Sequence, residues 1–120
     1  MTLDDYNAFC ASLPGTSHVV QWGGSHVWKV GPKLFAVAAL GQETAGDPFV
    51  TFKVSDMSFE MLKDEAGCRP APYLASRGMK WIQRTSDASM DDEALQQYLA
   101  ESHRLVAEKL TKAERTRLKV

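Results

Sequence analysis

Three histidines, His18, His26 and His103, and two cysteines, Cys10 and Cys68, are the side chains best suited to nucleophilic or metal chemistry in this chain. His18 and His26 flank a tight turn and can approach one another across a hairpin, as a pair of metal ligands would. No third ligand stands at a helpful spacing, and H-E-x-x-H is absent, so no metal is assigned. His103 lies beside the apolar stripe of the C-terminal helix and reads as a partly exposed spacer. Cys10 and Cys68 are 58 positions apart and form neither a CxxC nor a zinc spacing. Cys10 falls on an apolar helix face, where a thiol behaves as a small hydrophobe with a raised pKa. Cys68 follows a helix end and precedes Arg69, which makes it the more reactive thiol. Without a histidine at readable spacing it is not assigned as a nucleophile.

Serines offer no G-x-S-x-G elbow, and glycines offer no Walker loop and no G-x-G-x-x-G. Asp91, Asp92 and Glu93 are explained as charges at a helix N-terminus. No catalytic set can be assembled, so the chain reads as a non-enzyme without a cofactor.

Positioning any other site depends on the elements. Thr2 caps a first helix with Leu3, Tyr6, Cys10 and Leu13 on one face, stopped by Pro14-Gly15. Strands follow at Ser17–Trp22, His26–Val30, Lys33–Leu40 and Phe49–Val54, separated by Gly23-Gly24, Gly31-Pro32 and a polar loop over Gly41–Asp47. A short helix runs from about Ser58 to Glu65 and ends at Gly67. Two prolines make CRPAPYLASRG an extended loop, and Met79–Thr85 is a final strand. Ser89 caps a long helix whose stripe runs through Leu95, Leu99, Val106 and Leu110. Helices at both ends of an antiparallel meander predict an α+β two-layer sandwich, in the order α-β-β-β-β-α-β-α, with one sheet face at least partly open.

That open face carries the remaining chemistry. By alternation Lys29 and Lys53 point away from the face formed by Trp28, Val30, Val50 and Phe52. Lys80 and Arg84 interleave around Ile82, while Lys33 and Arg77 sit at adjoining turns. Such bases, with aromatic neighbours, suit a nucleic-acid backbone; the same pattern also serves solubility and blocks edge pairing. Trp22, Trp28 and Trp81 read as core aromatics, with Trp81 partly exposed after its turn.

The chain of 120 residues is one domain, 1–120, with enough surface to bury for a real core. Fourteen bases against fifteen acids give a net charge of −1, which excludes a globally basic binder. Residues 1–68 carry four bases and eight acids, whereas residues 69–120 carry ten and seven. The last twelve residues hold five bases and one acid and read first as a solvated helix end. The N-terminus lacks a signal-peptide pattern and no apolar run reaches membrane length, so a cytoplasmic chain with reduced thiols is expected.

Taken in order, LPGT, HVWKVGPKLFAVA, FVTFKVS, RPAPYLASRGMKWIQ and ALQQYLAESHRLVAEKL resemble the MmcQ/YjbR family across nearly the whole chain. The resemblance implies a CyaY-like (frataxin-like) fold of bacterial type and DNA binding through a double-wing arrangement of strands. It places DNA contacts on Lys29, Lys33, Lys53, Arg77, Lys80 and Arg84. The expected partner is double-stranded DNA, bound by a monomer, with no membrane. The alternative is a non-enzymatic module binding a protein or small ligand beside the Cys68–Gly78 loop, with Tyr73 and Trp81 as anchors.

Overall fold

The computed structural model describes residues 1–39, 47–72 and 78–120. Helix α1 (Leu3–Ser12) starts where Thr2 Oγ1 accepts the Asp5 N–H at 3.1 Å. Strands β1 (Thr16–Gln21), β2 (Ser25–Val30), β3 (Lys33–Ala39) and β4 (Phe49–Lys53) follow as a meander. Helix α2 (Asp56–Leu62), strands β5 (Cys68–Pro70) and β6 (Trp81–Arg84), and helices α3 (Asp92–Ala107) and α4 (Lys112–Leu118) complete the order. The six strands form one antiparallel sheet in the order β1-β2-β3-β4-β6-β5. The α+β class and the terminal helices agree with the sequence reading. Residues 41–46 of the predicted Gly41–Asp47 loop, the end of the third strand at residue 40, Tyr73 and Arg77 lie outside the described residues.

Two elements were not in that reading. Cys68–Pro70 pairs with β6, Cys68 opposite Arg84 and Pro70 opposite Ile82. Proline is tolerated there because β5 is the outermost strand, where a missing N–H need not break the ladder. The predicted long C-terminal helix is in fact two. α3 ends at Ala107, and Thr111 restarts the chain with a capping box, exchanging side-chain and backbone hydrogen bonds with Glu114. At the other end of α3 the cap is Asp91, whose Oδ1 accepts the Ala94 N–H at 2.8 Å. Ser89, the expected cap, donates to the Ala66 carbonyl at 2.6 Å.

Register assigns the sheet faces. His26, Trp28, Ala36, Ala38, Val50, Phe52, Ile82 and Arg84 share the helix-covered face. The ladder slips between β2 and β3: Trp28 opposes Ala36, but Lys29 opposes Leu34. Phe35 is the extra residue of this bulge, so Phe35 and Ala36 are both fully buried. They join Tyr6, Leu95 and Leu99 in the core, each large side chain contributing roughly 1.5–3 kcal/mol by burial. The opposite face carries a row of Val19, Val27, Val37, Thr51, Gln83 and Arg69. Its centre is shielded, since Val27, Thr51, Gln83 and Trp81 are buried, while Val19 and Arg69 are exposed. Among the described residues no helix is long and apolar enough to cross a membrane.

Candidate nucleic-acid interface

In an antiparallel meander alternate strands run the same way. The C-terminal ends of β2 and β4 therefore lie at the same end of the sheet as the N-terminal ends of β3 and β6. Lys29 is the next-to-last residue of β2 and Lys53 the last of β4, while Lys33 opens β3 and Lys80 precedes β6. Four lysines from four neighbouring strands thus line one rim, spanning about 14 Å at the usual strand spacing. Lys29 and Lys53 share the face away from the helices, two strands and about 10 Å apart. Lys33 is exposed, and Lys80 is half-buried with its Nζ 4.8 Å from the centre of the Phe59 ring.

Helix α4 docks at the same end. Gly31, at φ +57°, turns between β2 and β3, and a Cβ built there would lie 2.9 Å from Leu118 Cδ1. Gly15, at φ +70°, would place a Cβ 3.0 Å from Leu118 Cβ. These two bare turns are what let Leu118 seat the helix. Docking brings Lys33 and Arg117 to Glu114, while Arg115 also faces Pro14, His103 and Glu108. Lys112, Arg115, Thr116 and Lys119 line a shallow depression of about 570 Å³. Glu114, the only acid on α4, is held below the ordinary carboxylate range by its capping bonds to Thr111 and then by Arg117 and Lys33. The basic tail is therefore part of the folded surface, which its composition alone had not placed. The T-x-x-E spacing of Thr111 and Glu114 was the available signal.

The opposite end gathers carboxylates, two of them paired with the N-terminal ammonium, which lies 2.8 Å from both Asp47 and Asp92. Asp47, Asp87 and Asp92 surround a depression of about 290 Å³ together with Arg84. Arg84 was expected on the basic surface; instead it turns toward the helices and is only 4% exposed. Its Nε donates to the Met90 carbonyl at 2.9 Å and its guanidinium pairs with Asp92 at 3.0 Å. Alternation explains the placement: Arg84 lies two residues from Ile82 on the same strand, so both face the core. Arg69, read in the sequence only as the neighbour of Cys68 and not as part of the basic surface, lies exposed on the other face, donating from Nε to Gln83 Oε1 at 2.8 Å.

The other sequence candidates take structural places. Trp81 is 4% exposed, beside a groove of about 400 Å³ lined by Lys53, Val54, Ser55, Asp56, Met79 and Lys80. The indole forms one wall of that groove and offers little surface as an anchor. Trp22, expected in the core, is 64% exposed at the β1–β2 turn. His103, expected as a partly exposed spacer, is 7% exposed and donates from Nε2 to the Pro14 carbonyl at 2.7 Å. Cys68 is buried in β5, and desolvation outweighs its contacts with Ser89 and Arg84 to raise its pKa. Burial pushes the Cys10 thiol up to about 12.

His18 and His26 do meet, His18 Nε2 lying 3.0 Å from His26 Nδ1. The rings are parallel within 16° with centroids 5.1 Å apart, so the two nitrogens point at each other within hydrogen-bond distance. Lone pairs in that arrangement do not converge on an outside ion. Among the described residues no group of three His, Cys, Asp or Glu side chains could hold a metal.

Residues 11–105 match the YjbR family model. The chain is similar to the Deinococcus radiodurans protein DR2400, which carries a DUF419 domain. Identity is 27% and the TM-score 0.83, over 99% of this chain and 88% of that one. A Pseudomonas syringae protein shares the fold at 15% identity and a TM-score of 0.67, over 88% of this chain and 98% of that one. No curated protein matches the chain.

Proposed function

Since the chain belongs to the YjbR family, we propose that its basic end binds the phosphate backbone of double-stranded DNA. The observation that carries this reading is the segregation of charge. Lys29, Lys33, Lys53, Lys80 and helix α4 gather at one end of the sheet, and Asp47, Asp87 and Asp92 gather at the other. A net charge of −1 is compatible with a local cluster of bases, and such a cluster attracts a polyanion to one end. The rim is built mainly of lysines, which act as point charges without the planar fork that reads a base edge. Binding is therefore electrostatic and nearly independent of sequence.

Anisotropy of a labelled duplex, followed across salt concentrations, tests this. Four or five neutralised phosphates give a slope of log K against log salt of about −3.5 to −4.5. Absence of binding at about 50 mM salt would count against the reading.

A further inference from the structure

The two edges of the sheet are built differently. The β5 edge is three residues long, carries Arg69, and ends at Pro70 with Pro72 just beyond. Short length, charge and proline are the devices that stop a sheet edge from accepting another strand. The β1 edge has none of them. It is six residues long, TSHVVQ, and among the described residues no strand pairs with its outer side. Val19 is 37% exposed and Val20 52%, on opposite faces of the strand. Trp22, directly after it, is 64% exposed and held at φ +53°, a conformation a bulky residue rarely adopts. No Asp, Glu, Lys or Arg occurs anywhere from Tyr6 to Trp28.

We propose that β1 pairs antiparallel with β1 of a second copy of this chain, joining the two sheets across a two-fold axis. A well-matched occupant of this edge offers an unpaired strand with an exposed valine on each face and no Asp, Glu, Lys or Arg. Among the described residues β1 itself is the strand that meets all three conditions. A two-fold axis perpendicular to the sheet keeps each face aligned with its own kind. Centred on Val19, it sets Val19 against Val19 on one face and His18 against Val20 on the other. Val19 meets its own copy, an imidazole packs beside Val20, Ser17 lies opposite Gln21, and no Asp, Glu, Lys or Arg is brought together. The exposed parts of Val19, Val20 and Trp22 amount to a few hundred Å² per copy, well below the roughly 800 Å² per partner of a stable interface. The dimer is accordingly weak and forms at high protein concentration. It leaves α4 and the Lys33 turn uncovered at the basic end.

Sedimentation velocity from about 10 µM to about 1 mM tests the proposal, with Val19→Lys as the variant. The wild type should shift from monomer toward dimer across this range. Val19→Lys should stay monomeric with an unchanged melting temperature, since Val19 is a partly exposed edge residue. Amide shifts that depend on concentration should fall on residues 16–22. A wild type that stays monomeric at the top of the range overturns the proposal. So does association that survives Val19→Lys, or shifts that centre on the exposed Met57 and Met61 of α2.

Discussion

Ser102 Oγ donates to the Phe35 carbonyl at 2.6 Å across the junction between α3 and the sheet. The same oxygen accepts the Lys53 N–H at 2.9 Å. Continued from Ala36 opposite Phe52, the ladder would set Phe35 against Lys53. The bulge prevents that pair, and one fully buried hydroxyl on α3 bridges the two groups it separates. Ser102 thereby fixes the backbone of Lys53, whose side chain belongs to the basic rim.

Ser102→Ala leaves a buried carbonyl and a buried N–H without a partner, which costs about 1–3 kcal/mol. Urea denaturation should record that loss. Hydrogen exchange should show the Lys53 amide losing more protection than Thr51, which lies inside the regular ladder. Equal effects at both amides would mean that the hydroxyl does not bridge the bulge.

Arg84 is expected to matter for stability and not for DNA. Its guanidinium holds the Met90 carbonyl and Asp92, the carboxylate being 52% exposed and so partly screened. Arg84→Ala should cost about 1–3 kcal/mol in chemical denaturation while duplex affinity stays at the wild-type value. A drop in affinity without a drop in stability would return Arg84 to the binding surface.

His18 makes stability depend on pH. Desolvation, and then electrostatic repulsion from the neighbouring His26, lower its pKa from the ordinary imidazole value of about 6.5. A base depressed by folding binds fewer protons in the native state than in the unfolded chain. Stability is therefore full above about pH 6.5 and falls as the pH drops through the folded value. The stack of His18 on Trp28, with centroids 4.9 Å apart, should loosen over the same window. Denaturation at about pH 7.5 and about pH 5 should show a larger acid loss for the wild type than for His18→Gln. Identical losses would remove His18 as the source.

Much of this architecture can be read from residue order, and the exceptions have physical causes. Thr2 as a cap, the turns at Gly23-Gly24 and Gly31-Pro32, and the alternation of Val50, Phe52 and Lys53 are local features that tertiary packing leaves intact. The outward direction of Lys29 and Lys53 follows from period two alone. Helix α4 was hidden because Leu110 continues the apolar stripe of α3, although the capping box at Thr111 was in plain view. Strand β5 was hidden because its Pro70 is acceptable only at an edge, and the edge is defined by strand order. The burial of Arg84 and His103 depends on partners remote in the chain, Pro14 lying 89 positions from His103. Segregation of charge to two ends of the sheet becomes visible only once strand directions are known.

The central claim is that the end built from the β2–β3 turn and α4 is what meets DNA. It is tested most directly by duplex anisotropy on Lys33→Glu/Arg117→Glu, a pair that flanks Glu114, against the wild type at low salt. Affinity should fall at least about tenfold, and the salt slope should flatten by about 2 as two phosphate contacts are lost. The melting temperature should stay unchanged. Wild-type affinity in this folded double variant would contradict the account.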